Sequence, residues 1–214
     1  GNILFHYGDP CALTFARSGA KPMQAVALCE SGALEEYGIT PQELAVICAS
    51  HNGQPEHVAL VDGILRKAGL SAQDLLCGAQ YPIHEETKRD MIRRGLPPDC
   101  LHCDCSGKHA GMLLTAKHYG EDLSAYANPD SPTQQRIIQI ICHLCGCSPQ
   151  EIIQAVDGCG VPVHALPLFK LAQGYARMSR PEALGEVRSR AVSRIVCAMT
   201  EYPFEVAGTG RLCT

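Results

Sequence analysis

The sequence predicts an α/β fold, and three observations carry that prediction. Apolar residues recur at helical spacing along most of the chain, two short apolar runs have the length of strands, and Gly and Pro punctuate the boundaries. With 46% hydrophobic and 19% charged residues, the 214-residue chain has ordinary globular composition and is long enough to bury a large core. It reads as a single domain over residues 1–214, with no internal repeat or low-complexity tract.

Taken in order, Gly1-Asn2-Ile3-Leu4-Phe5 reads as a strand already under way. Lys21 to Tyr37 carries Met23, Val26, Ala27 and Leu34 at helical spacing and stops near Gly38, and Leu44 to Ala49 is an apolar run of buried-strand length. Ser50-His51-Asn52-Gly53 turns the chain. Glu56 to Ala68 is a second helix, its apolar face running through Val58, Leu60, Val61, Ile64 and Leu65, and Glu85 to Arg94 is a shorter charged one. Lys108 to about Tyr119 reads as a buried helix. Ser131-Pro132 opens another to Leu144, and Pro149 opens a short one to Val156. After a break at Asp157-Gly158-Cys159-Gly160-Val161-Pro162, helices follow over Leu166 to Met178 and Pro181 to Met199. Strands are few, and both ends of the sequence read as cut: the expectation is a chain truncated at both termini, whose sheet is completed by segments beyond them.

Composition also excludes classes of function. The formal charge is −4 and the 18 Lys and Arg are scattered, so the basic stripe that nucleic acid requires is missing. No apolar run approaches the roughly 18 residues of a membrane span, and no signal-peptide pattern opens the sequence, so the expected compartment is the cytoplasm. There the thirteen cysteines are expected as free thiols, metal ligands or catalytic groups rather than disulfides.

Three constellations could carry chemistry. In Arg17-Ser18-Gly19-Ala20-Lys21-Pro22, a serine and a lysine lie three residues apart at a helix start, where the amine can take the hydroxyl proton. The alternative is a helix-capping Ser18 and a solvated Lys21. The second is Asp104-Cys105-Ser106-Gly107-Lys108-His109-Ala110-Gly111 with Cys159. Two thiolates and one nitrogen, from Lys108 or His109, would fill three positions of a tetrahedral zinc site and leave the fourth open; otherwise Cys105 and Cys159 are buried core thiols. In the third, Cys100-x-x-Cys103-x-Cys105 recurs as Cys142-x-x-Cys145-x-Cys147, a spacing that invites a zinc-knuckle or iron–sulfur reading, although Cys142 and Cys145 fall at core-like positions of an apolar helix.

Five segments in order resemble the motifs of the class 3, rhizobial-type L-asparaginases, the asparaginase II family. They are Arg17-Ser18-x-x-Lys21-Pro22-x-Gln24, Ala49-Ser50-His51-Asn52-Gly53, Cys105-Ser106-Gly107-Lys108-His109-Ala110-Gly111, Asp157-Gly158-Cys159-Gly160-Val161-Pro162 and Ala207-Gly208-Thr209-Gly210-Arg211. The resemblance spans essentially the whole chain. It implies a sandwich of a mainly antiparallel sheet flanked by helices, similar to the serine β-lactamases, penicillin-binding proteins and glutaminases, and hydrolysis of L-asparagine to L-aspartate and ammonia. It also implies Ser18, Lys21 and Ser50 as catalytic residues, Arg17, Asn52, His109 and Asp157 as substrate-binding residues, and Cys105, Lys108 and Cys159 as ligands of one Zn2+ that positions substrate. The family's second Ser–Lys pair is completed by a lysine that lies beyond the Gly-Thr-Gly-Arg segment, and the family tendency is a homodimer. On these roles Lys21 is the base, Arg17 holds the substrate α-carboxylate and Asp157 its α-ammonium. Two rivals are a Ser–Lys amidohydrolase of another amide, such as glutamine, and a non-catalytic cysteine-rich metal module.

Overall fold

The computed structural model describes residues 3–212. Its elements in chain order are β1 (Leu13–Phe15), α1 (Lys21–Ser31), α2 (Ala33–Glu36), α3 (Pro41–Ile47), α4 (Pro55–Lys67), α5 (Glu85–Arg93), α6 (Ser106–His118), α7 (Pro132–Cys145), β2 (Ile153–Val156), β3 (Pro162–Pro167), α8 (Leu168–Met178), α9 (Glu186–Glu201) and α10 (Pro203–Ala207). Among the described residues the three strands form one antiparallel sheet in the order β1-β3-β2, which with the helices makes an α/β fold. Phe15 and Ile153 both pair with Ala165 from opposite sides, so β3 is central and buried while β2 is an exposed edge.

Two helices form the centre. α1 is buried from Lys21 through Leu28, and α6 is buried from Ser106 through Ala116. A helix with no polar face must be surrounded, and α1 packs on α6, α7 and α9 while α6 packs on α1, α3, α4 and α7. The approach of α6 to α3 depends on two glycines. A Cβ on Gly107 would meet Val46 O at 2.3 Å and one on Gly111 would meet Ile47 Cγ2 at 2.6 Å, so any larger residue would push the helices apart. This packing sets the first turn of α6 beneath the segment that follows α3, where Ser50 lies.

Several elements differ from the sequence prediction. Leu44 to Ala49, expected as a strand, belongs mostly to α3. Pro41 occupies its first turn, and Thr40 and Glu43 form a reciprocal capping box that nucleates a helix across β-branched residues. The expected helix from Pro149 to Val156 is only a 3-10 turn followed by β2, and β3 occupies residues read as a break and a helix start. A strand buried on both faces, as β3 is from Pro162 through Leu166, shows no alternation, which is why it gives no period-2 signal. Gly1 and Asn2 lie outside the described residues, and Ile3–Phe5 are exposed and not in a strand. The helix expected over Lys21–Tyr37 breaks at Gly32, whose φ of 93° caps α1 in the left-handed conformation.

Candidate active site

Lys21 is the first residue of α1, and its side chain is 2% exposed. Its Nζ donates to Ser50 Oγ at 2.6 Å, to Ala49 O at 2.8 Å and to Asp104 O at 3.1 Å. An ammonium has three N–H donors, so three oxygens from two different loops satisfy it completely. Ser50 Oγ is in turn 2.8 Å from Ser18 Oγ, so the two serines and the lysine form one continuous chain of exchangeable protons. Sequence spacing pairs Lys21 with Ser18 directly; the structure places Ser50 between them. Ser18 is exposed and Ser50 half-buried, so the chain runs from solvent to the buried amine.

Ser18 sits in a 3-10 turn over Arg17–Ala20. Arg17 has φ of 47°, the one non-glycine residue with positive φ among those described, a conformation that costs about 1–3 kcal/mol and is found where a side chain must be held off the ordinary path. Its guanidinium reaches Asp157 Oδ1 at 3.0 Å, so the two groups expected at opposite charges of a substrate face one another at the rim.

The loop after α3 is tied down separately. His51 Nδ1 accepts from Gly53 N at 3.2 Å, which leaves the Nε2 proton for Ser106 Oγ at 3.0 Å, while the Ser106 hydroxyl donates to Leu101 O at 2.9 Å. Burial first, then the neighbouring His57, holds His51 well below the ordinary imidazole range, so it is a neutral strut. Asn52 lies against Gly208, where a Cβ would come within 2.2 Å of its Oδ1. Gln54 secures the same segment: its Oε1 accepts from Thr209 N at 2.8 Å and its Nε2 donates to Thr209 Oγ1 at 3.2 Å.

Deeper in, Lys108 of α6 donates to Cys159 Sγ at 3.0 Å. Cys159 occupies a tight turn closed by Gly160 N on Asp157 O at 2.9 Å, and its thiol also contacts Cys105 and His109. Cys159, about fifty residues away in sequence, therefore meets Cys105 and Lys108 in one buried cluster. The hydrogen bond with Cys105 first, and then burial, raises the Cys159 thiol; the bond with Cys103 first, and then burial, raises Cys105. His109 Nδ1 lies 2.7 Å from the Tyr126 hydroxyl, which itself accepts from Leu76 N at 2.8 Å. His109 Nε2 is buried without a well-formed hydrogen bond, although it lies near enough to Cys159 to interact with it; burial lowers the imidazole. Two thiols, an amine and a nearby imidazole nitrogen are the soft, mixed sulfur and nitrogen donors that suit zinc.

Compared with known protein families, the chain matches the L-asparaginase II family over residues 1–214. The chain belongs to that family. No individual curated protein matches it. The L-asparaginase II assignment makes the chain, at family level, an amidohydrolase with asparagine as a consistent substrate. Among the described residues no helix is long and apolar enough to cross a membrane.

Of the ten residues singled out from the sequence of this asparaginase II, Ser18, Lys21 and Ser50 share one hydrogen-bonded chain, Arg17 and Asp157 form a pair, and Cys105, Lys108, His109 and Cys159 cluster, while Asn52 lies apart from the Arg17–Asp157 pair against Gly208 and Thr209. Sequence reasoning missed Asp104 as an acceptor for Lys21, Gln54 as the clasp on Thr209, and Tyr126 as the partner of His109. No spacing rule could have found them, because each acts across 17 or more residues.

Proposed function

We propose that this protein hydrolyses L-asparagine to L-aspartate and ammonia through a Ser18–Ser50–Lys21 proton relay beside a Zn2+ site formed by Cys105, Lys108 and Cys159. The observation that carries the reading is the relay: Oγ to Oγ of 2.8 Å and Oγ to Nζ of 2.6 Å, with the distal amine buried. Ser18 Oγ, the exposed end, attacks the side-chain amide carbon; this step requires Lys21 to have given up one proton, so that the hydrogen bonds of the resting chain reverse and the Ser18 proton passes to Ser50 as the Ser50 proton passes to the free amine. Collapse of the tetrahedral intermediate returns the proton to the departing nitrogen, which leaves as ammonia. Water then cleaves the β-aspartyl ester, giving its proton to the same relay, and Ser18 is restored.

Arg17 holds the substrate α-carboxylate by paired N–H donors and Asp157 accepts from its α-ammonium, each giving up its contact with the other when substrate arrives. Asn52 and His109 are assigned to substrate contact on the strength of the family motifs that contain them. A bound zinc ion would polarise the amide carbonyl or position the substrate; Lys108 can serve it only as the free amine. The fold is read as the glutaminase and serine β-lactamase type on the strength of the same motifs.

The test compares ammonia release from L-asparagine and L-glutamine by the wild-type chain, Ser18→Ala and Ser50→Ala. The reading requires turnover of L-asparagine that collapses in Ser18→Ala and falls severely in Ser50→Ala. Near wild-type turnover in Ser18→Ala would sink it. A preference for L-glutamine favours the rival amidohydrolase, because one methylene is worth only about 1–3 kcal/mol in a pocket of this kind.

A further inference from the structure

Two buried thiols next to the site have no place in that chemistry. The turn from Cys100 to Ser106, closed by Cys103 N on Cys100 O at 3.2 Å and Ser106 N on Cys103 O at 2.9 Å, presents Cys103, Asp104 and Cys105 together. Their sulfur and carboxylate donor atoms all lie within 4.8 Å of one another. Cys103 and Cys105 are both buried, and Gln80 Nε2 holds the Asp104 carboxylate by donating to Oδ1 at 3.2 Å. The Cys103 thiol is in hydrogen-bonding contact with Cys105 on one side and with Cys77 on the other. Cys105 also interacts with Cys159, so a line of neighbouring thiols links Cys77, Cys103, Cys105 and Cys159, within which Cys103, Asp104 and Cys105 bring their donor atoms to within 4.8 Å of one another. Core cysteines elsewhere look different: Cys145 faces Met23 Sδ at 3.9 Å and serves as a small apolar filler.

We propose that Cys103, Asp104 and Cys105, with Cys77 as the fourth donor, form a second position for a thiophilic divalent cation. Cys105 is the shared ligand, its thiolate bridging this position to the one at Lys108 and Cys159. Three sulfurs and one carboxylate oxygen make a tetrahedral set suited to Zn2+ or Cd2+. Each thiol gives its proton to solvent as the sulfur–metal bond forms, and two dications nearly neutralise the four thiolates and the carboxylate, which removes the cost of burying them unpaired. The inference rests on the proposed zinc reading only through the shared sulfur.

Equilibrium dialysis of the full chain against Cd2+ under reducing conditions, with elemental analysis and the thiolate-to-metal charge-transfer band as readouts, tests it. The proposal requires two tightly held ions per chain, with Cys103→Ser reduced to one and weaker in the band. Two ions in Cys103→Ser, or a single ion in the wild type that Cys103→Ser retains, overturns it. If that single ion is lost in Cys159→Ser but kept in Cys103→Ser, this position fails and the zinc reading stands. If Lys108→Ala and Cys159→Ser leave the count unchanged while Cys103→Ser lowers it, the zinc reading fails and this one stands. Cys142→Ser, at a buried cysteine outside the line, must keep both ions; loss there shows that the count follows core integrity and overturns the proposal.

Discussion

Lys21 and Lys108 are both buried lysines in the first turn of a central helix, 2% and 4% exposed, and they differ in what surrounds their amines. Lys21 meets three oxygens, two of them main-chain carbonyls that cannot lose a proton. Lys108 makes its one hydrogen bond among the described residues to a thiol, a weak acceptor and a strong metal ligand once deprotonated. Burial alone therefore does not assign a lysine its role; the acceptor set does. Oxygens around Lys21 fit the proposed role of exchanging protons with the serines, and sulfur beside Lys108 fits the proposed role of metal ligand.

The comparison can be broken most sharply at Lys21. Lys21→Met should lower kcat on L-asparagine by about 10²–10⁴-fold while zinc content is unchanged, since the relay loses its terminal base and the thiol cluster loses nothing. An equal loss of zinc would show that the two lysines belong to one device. Stability at acid pH probes the other lysine. His164 on β3 is buried, and burial first and the Lys108 charge second lower its pKa to about 4. In unfolded chain it titrates near 6.5, so between about pH 6.5 and 4 the unfolded state binds the extra proton and stability falls as pH falls, by about 3 kcal/mol. Urea unfolding across that window should show the loss, and His164→Gln should flatten it; an unchanged slope would remove His164 as the cause.

Lys108→Ala should weaken zinc binding by at least about 10–100-fold, read by competition with a chelator, with a smaller fall in kcat than Lys21→Met. Gly107→Ala tests the packing that sets the two lysines in register. Its Cβ would meet the Val46 carbonyl at 2.3 Å, which as main chain cannot swing aside, so a loss of about 1–3 kcal/mol in denaturant unfolding is expected. The smallest effect belongs to Arg17→Ala. Its pair with Asp157 is largely exposed on the arginine side, so stability should change by less than about 1 kcal/mol while KM for L-asparagine rises.

The lysines show how far the sequence reaches. Proline at the start of α1 and the Ser-x-x-Lys spacing pointed to Lys21, and Cys105-x-x-Lys108 on one helical face pointed to the other site. What the spacing could not tell was that Lys21 reaches Ser50 before Ser18, because that depends on how the loop after α3 settles on α6. The same kind of limit explains α3. Its apolar run is compatible with strand or helix, and the decision came from Thr40, Pro41 and Glu43 just upstream. Gly107 and Gly111 were visible in the motif, but their purpose, the close approach of α6 to α3, exists only in three dimensions.

The central claim is that Ser18 carries the covalent step and Ser50 relays its proton to Lys21. Acid-quenching the protein during turnover of L-asparagine, followed by peptide mass mapping, tests it most directly. The account predicts a β-aspartyl ester on the peptide containing Ser18 and none on the peptide containing Ser50, with the adduct absent from Ser18→Ala. An ester on Ser50, or turnover in Ser18→Ala with the same adduct pattern as the wild type, would contradict it.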